Sequence, residues 1–335
     1  MHPELFEIPF IHVTLRGFGL MVVIGFLVGA WVIGRLSRAI TPHHQHTINI
    51  ALYALLGGLI GARLFFVIHY FDRFRDHPAE IFYIWRGGLE FYGGVLVAVP
   101  VIILYLWRHK LPIRRFFDVL AIGLMLGLSF GRLGCFMNSC CYGKPTDLPW
   151  GIRFPYNSYP YVSQINADPH RDRLDAQLEL PSGEYLDFAG ADGRWYPKPY
   201  DKLTADQEAA VTRGKYRCLP FHPTQLYSSA NAALVCLVLY LVWRRSQRAA
   251  ARSGVKRFTQ PGFTFALALV LYGLTRFLIE FIRDDNPFEY AWWAIYKGGT
   301  VSQNLSIYLV ALGVVLMGVF QHFKAGTPQS QDFFV

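Results

Sequence analysis

Three arginines stand inside apolar runs of this 335-residue chain: Arg63 in GGLIGARLFFV, Arg132 in LSFGRLGCFMN and Arg276 in LYGLTRFLIEFIRDDN. A charged residue near a bilayer centre costs about 2.5–3.5 kcal/mol on insertion scales and less toward the interface, so such residues usually face a bundle interior or a polar cavity. A single arginine near a span end can snorkel at little cost. Guanidinium forks match phosphate oxygens, and Arg63 and Arg132 have no aspartate near them on their own helices. Tyr272, Arg276, Glu280 and Arg283 are spaced 4, 4 and 3 apart and fall within a helical arc of about 80°. Glu280 reaches Arg276 at i−4 and Arg283 at i+3, a spacing that also reads as a charge-neutralising ladder.

The elements that carry these residues are apolar runs of about 20 residues, the length that crosses roughly 30 Å of hydrocarbon. Such runs lie near 15–37, 47–71, 91–107, 116–137, 222–243, 261–281 and 304–322. With 53% hydrophobic residues and a positive mean hydropathy, the chain reads as an all-α integral membrane protein of seven transmembrane helices. Arg63, Arg132 and Arg276 each lie 16 residues beyond the start of their span, counted from Thr47, Phe116 and Gln260. At about 1.5 Å per residue all three are expected roughly 24 Å from the cytoplasmic end, at one level in the outer leaflet.

That direction follows from charge placement. The formal net charge is +9, but its excess sits in three loops: Arg35 and Arg38; Arg108, Lys110, Arg114 and Arg115; and Arg244, Arg245, Arg248, Arg252, Lys256 and Arg257. Basic loops are retained in the cytoplasm, so the amino terminus is expected outside and the carboxyl terminus inside. The basic balance is thereby a topology signal and does not point to nucleic acid. The opening MHPELFEIPF lacks the pattern of a removable signal peptide.

Residues 1–137 are expected to hold helices 1–4, 138–221 an extracytoplasmic cap, 222–324 helices 5–7 and 325–335 a cytoplasmic tail. The cap is rich in Tyr, Pro, Asp and Gly, which suits many turns. Within it, TADQ predicts a short helix from Thr204, with Gln207 three positions on. Cys135, Cys140, Cys141, Cys218 and Cys236 offer no zinc spacing. Cys135 and Cys236 are expected to pack as small apolar residues. Two of Cys140, Cys141 and Cys218 are candidates for a disulfide in an oxidising compartment.

Further polar groups gather at the same expected membrane face. Tyr92 opens the third span, Asn138 ends the fourth, His222, Gln225 and Tyr227 open the fifth in FHPTQLY, and Gln303, Asn304 and Ser306 cap the seventh. Individually Tyr92 and Tyr227 read first as interfacial aromatics, and His222 equally as a cap or a hydrogen-bonded structural residue. Together with the arginines they imply a lipid phosphate site between helices, opening outward under a polar cap.

These motifs, from RGFGLMVVIGF through GGLIGARLFFV, GGLEFYGG, GRLGCFMNSCCYGKPTDLPWGIRFP and FHPTQLY to LYGLTRFLIEFIRDDN and SQNLSI, resemble the bacterial prolipoprotein diacylglyceryl transferase family over essentially the whole chain. The resemblance implies transfer of a diacylglyceryl group from phosphatidylglycerol to the lipobox cysteine of a preprolipoprotein, forming a thioether and releasing glycerol phosphate. It implies a bacterial inner-membrane location with the site facing the outer leaflet, no metal and no soluble cofactor. By resemblance Arg132 and Arg276 are catalytic, with Tyr92 beside them. Arg63, Asn138, Gly143, His222, Gln225, Tyr227, Tyr272, Glu280 and Arg283 join Arg132 in binding substrate.

Three positions depart from the common family pattern: Phe18 where many members carry Tyr, Tyr92 where many carry His, and Cys135 where Asn is usual. The thiol proton is then left to Tyr92, with a reference pKa near 10, to Glu280, to His222 or to direct thiolate stabilisation by the arginines. Two other readings are a phospholipid-binding or transporting protein of the same fold, and a thiol oxidoreductase using Cys140 and Cys141.

Overall fold

Apolar runs become helices here because a bilayer offers the backbone no other hydrogen-bond partner. The computed structural model describes residues 4–8, 13–75, 77–84, 87–171, 173–190, 193–253, 259–285, 288 and 290–322; Lys256, Arg257 and the tail 325–335 lie outside these. The long helices are α1 (Gly17–Ser37), α2 (His44–His69), α4 (Phe91–Arg108), α5 (Ile113–Met137), α8 (Thr224–Ser253), α9 (Phe263–Glu280) and α10 (Val301–His322). Short ones are α3 (Phe71–Phe74), α6 (Tyr159–Gln164) and α7 (Ala205–Thr212). Among the described residues six helices are long and apolar enough to cross a membrane, and α4 is a shorter apolar helix. Large apolar side chains such as Trp31, Ile60, Leu124 and Leu278 are exposed, as expected of surfaces wetted by lipid. The chain is a multi-pass membrane protein.

The chain is mostly helical, in keeping with an all-α membrane protein, and carries a few short strands. Strands β1 (Glu4–Ile8) and β2 (Val13–Arg16), β3 (Ile152–Arg153) and β6 (Pro220–Phe221), and β4 (Leu186–Ala189) and β5 (Trp195–Pro197) form three two-stranded antiparallel pairs. Helix α8 runs ten residues past its expected end at 243, because RRSQRAAARS contains good helix formers once the apolar stretch is over.

Contacts divide the chain into two compact units. One comprises Val28–Leu124, Val238–Ala268 and Val314–Val335. Within it, small residues bring α2 and α4 together: a Cβ on Gly61 would overlap the Gly93 carbonyl oxygen and lie 2.6 Å from Val97 Cβ. Lipid tails are as apolar as the side chains they touch, so close backbone approach is a main source of helix adhesion in a membrane. Asp118 of α5, buried, accepts from the Gly262 and Phe265 amides, both at 2.8 Å, and so caps the start of α9 from a neighbouring helix.

The other unit comprises Met1–Leu27, Met125–Leu237 and Leu269–Gly313. Here α5 and α8 exchange hydrogen bonds: Ser129 Oγ donates to the Ser229 carbonyl at 3.0 Å and Ser229 Oγ to the Ser129 carbonyl at 2.9 Å. Asn231 of α8 donates to Thr275 of α9 at 2.9 Å. The segment 138–221 belongs to this unit and has a buried core of Tyr142, Phe154, Tyr161, Ile165, Val211 and Phe221, among others. Asn166 pins Trp195 by two hydrogen bonds, and the Leu219 amide donates to the fully buried Gln164. The expected cap helix is α7, with a reciprocal Thr204–Gln207 capping box.

Replacing Gly61 with Ala is expected to destabilise the protein by about 1–3 kcal/mol through overpacking. Gly58→Ala, whose nearest neighbour would be Ala98 Cβ at 4.0 Å, is expected to be neutral or better. Thermal unfolding in detergent micelles compares the two, and equal midpoints would contradict the packing argument.

Candidate functional site

The signature segment after α5 is folded into place by backbone hydrogen bonds. Helix α5 ends when the Cys140 amide turns back to the Cys135 carbonyl, at 3.1 Å. Ser139 and Cys141 then take left-handed conformations (φ 54° and 61°), which costs energy for residues with a Cβ and reverses the chain sharply. The Thr224 hydroxyl donates to the Cys141 carbonyl at 2.7 Å, and Gln225 Nε2 to the Cys140 carbonyl at 2.8 Å. Both side chains are fully buried, so the first turn of α8 clamps the turn.

Beyond it, residues 142–146 lie between two other segments. The Gly143 amide donates to the His222 carbonyl, the His222 amide to that of Lys144, and the Thr146 amide to that of Pro220. On the other side the Lys144 amide donates to the Ile282 carbonyl and the Asp284 amide to that of Tyr142. Gly143 has to be glycine: a Cβ there would lie 2.6 Å from His222 Cβ and 2.8 Å from the His222 carbonyl oxygen. One seam thus joins the end of α5, the entry to α8 and the exit of α9.

This seam places the charges. Helix α9 stops at Glu280 in tight i to i−3 turns, so Arg283 lies beyond it and is positioned by its bridge to Gly143, not by the helical arc its spacing suggested. Arg276 donates to the Glu280 carboxylate and, at 2.8 Å, to Ser302 of α10. Glu280 also faces Arg283 at 3.9 Å, and Arg283 makes a forked contact with Asp285 at 2.7 and 2.9 Å. Burial opposes the Arg283 charge, but Asp285 and Glu280 outweigh it and hold its pKa above the usual arginine value. Burial pushes the Asp285 carboxyl up against the pull of Arg283.

Arg132 is different. Its electrostatic neighbours are Cys141, Tyr272, Arg283 and Cys135, and Arg276 in turn feels both Arg283 and Arg132. Among the described residues its guanidinium has no hydrogen-bond or ion-pair acceptor. Three guanidinium groups therefore share two carboxylates, Glu280 and Asp285. Alongside lies a cavity of about 1140 Å³ whose lining includes Asn138, Cys140, Cys141, Tyr156, Asp284 and Asp285. Arg171 and Arg173 of the cap approach Asp284 at 3.6 and 3.1 Å and tie the cap to the segment after α9.

A family model described as prolipoprotein diacylglyceryl transferase matches residues 3–319. The chain belongs to the prolipoprotein diacylglyceryl transferase family. Among its relatives, each named phosphatidylglycerol–prolipoprotein diacylglyceryl transferase, a Burkholderia lata protein is 30% identical over 95% of this chain and 95% of the relative. Proteins of Roseobacter denitrificans and Xanthomonas axonopodis pv. citri are 26% and 29% identical, covering 96% and 92% of this chain and 96% and 88% of their own lengths.

In this diacylglyceryl transferase family member the fold brings together Arg132, Tyr272, Arg276, Glu280 and Arg283, with Asn138 on the adjoining cavity. Gly143 and Gln225 build the seam. His222 Nδ1 lies 3.3 Å from the Tyr227 hydroxyl, which accepts from Trp150 at 2.8 Å. Trp150 was not singled out from the sequence, although its place in the PTDLPWG run of the signature was a signal. Asp285 and Ser302 were also missed; Ser302 is legible only as a polar residue in the first turn of α10. Gln303 and Thr300 cap that helix reciprocally, and the fully buried Asn304 bonds to the Tyr296 amide and carbonyl.

Arg63 and Tyr92 belong to the other unit. Tyr92 is exposed in the first turn of α4. Arg63 donates to the backbone carbonyls of Glu80, Ile81, Gly87 and Gly88 and lies against the rings of Phe66 and Phe74. Sequence reasoning looked for a carboxylate partner and did not count carbonyls. The five cysteines are free thiols, and Cys218 is buried in the cap core, so the considered disulfide is not formed.

Arg63→Lys keeps the charge but loses the fork that gathers four carbonyls. Loss of about 1.5–3 kcal/mol of stability is expected, with faster proteolysis of the 77–90 connection. An unchanged cleavage rate would refute a positioning role for Arg63.

Proposed function

We propose that the chain transfers the diacylglyceryl group of phosphatidylglycerol to the lipobox cysteine of preprolipoproteins, with the reaction centred on Arg132 and Arg276. The observation that carries this reading is the charge balance of the cluster. Among the described residues Arg132, Arg276 and Arg283 supply three positive charges and Glu280 and Asp285 two negative ones, which leaves one charge for a single phosphodiester. Arg132, without a protein acceptor among the described residues, is the group that meets it, and Arg276 is the second phosphate ligand.

The chemistry follows from that placement. A thiolate attacks the saturated glyceryl carbon bonded to the phosphate oxygen; the new C–S bond forms as the C–O bond breaks, and the electron pair leaves on glycerol phosphate. No protein nucleophile takes part. The guanidinium groups stabilise charge as it builds on the departing phosphate, and the same positive field lowers the cost of the thiolate. Tyr92, Glu280 and His222 contend for the thiol proton. Glu280 is favoured among them by lying within the arginine cluster, while Tyr92 stays a catalytic candidate to be tested.

In this reading seven helices cross the bacterial cytoplasmic membrane, α4 included, since 18 residues rise about 27 Å. The amino terminus lies outside and the carboxyl terminus inside, in keeping with the basic residues that follow α1, α4 and the apolar part of α8. The site faces the outer leaflet. Residues 138–221 form the extracytoplasmic cap between the helices of 1–137 and 222–324, with 325–335 as the cytoplasmic tail. The lipobox segment enters by the cavity that Asn138, Tyr156 and Asp285 help to line. Gly143, Gln225, His222 and Tyr227 shape the site around the lipid, Tyr272 flanks Arg132, and Arg63 acts by positioning its own loop.

Purified protein given phosphatidylglycerol and a lipobox peptide should form the diacylglyceryl thioether. Arg132→Ala and Arg276→Ala should each lower the rate by about 10²–10³-fold or more, the usual cost of removing one preorganised donor to a developing anion. Full activity in both variants would remove the mechanism. Binding of phosphatidylglycerol without turnover by the unaltered protein would favour a lipid-binding role instead.

A further inference from the structure

The sulfur atoms of Cys135, Cys140 and Cys141 all lie within 4.8 Å of one another, although their spacing in sequence matches no metal-binding pattern. We propose that these three thiols bind one soft, closed-shell monovalent cation of the copper or silver class, and that the loaded cluster shuts the neighbouring phosphate site.

The sulfurs converge because the backbone compels it. Cys135 lies in the last turns of α5, the left-handed residues Ser139 and Cys141 fold the chain back over it, and the Cys140 thiol donates to the Cys135 carbonyl at 3.6 Å. Thr224 and Gln225 then lock the carbonyls of Cys141 and Cys140. Such outer contacts fix a ligand set in advance.

Three sulfurs around one ion at about 2.3 Å in a trigonal plane would stand about 4 Å apart, within the observed limit. No histidine or carboxylate joins the group among the described residues. An all-sulfur set selects soft ions over magnesium, calcium or manganese, and three ligands suit monovalent copper or silver better than zinc, which takes four in structural sites. Cys140 and Cys141 line the cavity, which provides an entry path.

Binding releases three thiol protons to solvent and leaves a complex of charge −2 beside Arg132 and Arg283, which are electrostatic neighbours of Cys141. Those guanidinium groups would offset part of that charge. They would then be withdrawn from a phosphodiester, so metal and lipid compete for the same cations. This second half rests on the proposed function; the binding site does not.

The test uses the full chain in detergent micelles, anaerobic and reduced, titrated with monovalent copper against a chromophoric chelator. One copper per chain is expected, with a sulfur-only first shell by X-ray absorption. Cys135→Ser, Cys140→Ser and Cys141→Ser should each weaken binding by more than about tenfold, because loss of a ligand costs at least as much as loss of the groups that orient one. Cys218→Ser and Cys236→Ser should leave it unchanged. No copper retained by the unaltered protein, a shell containing nitrogen or oxygen, equal binding in the cluster variants, or a disulfide within the cluster of protein isolated without reductant would overturn the site. The wild-type stoichiometry and spectrum decide even if a variant misfolds. Copper loading should also abolish diacylglyceryl transfer. Copper held by three sulfurs with transfer at the full rate would leave the metal site standing and remove Arg132 from the reaction.

Discussion

Among the described residues three guanidinium groups stand against two carboxylates, and the proposed site depends on that imbalance of charge. Two carboxylates, Glu280 and Asp285, neutralise most of a three-guanidinium cluster and stop it from repelling itself apart. A third carboxylate would cancel it and leave nothing for a ligand. A cluster without carboxylates would be too costly to bury. The imbalance of one would suit the anionic phosphodiester of the proposed reaction, and among the described residues Arg132 is where the cluster lacks an acceptor.

Keeping the cluster in register falls to the backbone. The seam through residues 142–146 fixes the distance between the end of α5, the start of α8 and the exit of α9, and it depends on Gly143 being small enough for the His222 strand to approach. Backbone pairing suits this task because it does not depend on long side chains holding a rotamer. The cap adds Arg171 and Arg173 against Asp284, so an element of more than eighty residues leans on the segment that delivers Arg283 and Asp285. In the other unit Arg63 performs a comparable service for its own connection, with carbonyls in place of carboxylates.

The same seam explains the cysteines. Their grouping is a by-product of ending α5 with two left-handed residues and clamping the turn from α8. With three thiols sharing so small a volume beside two cations, their chemistry would be coupled to the proposed phosphate site.

Hydropathy and helical spacing were enough to locate the seven apolar helices, the capped helix at Thr204 and the contact between Arg276 and Glu280, because each depends on residues within a few turns of one another. The amino-acid sequence also carried the family, through motifs spread along the whole chain. Tertiary structure alone decided which arginine keeps an open valence, since carbonyls of the connection after α2 satisfy Arg63 while among the described residues no acceptor reaches Arg132. It also decided that Arg283 leaves the helix before it meets Asp285, and that three cysteines without a recognisable spacing share one site. These outcomes depend on where the chain turns after a helix ends, and the turns are governed by pairing with segments outside the helix itself.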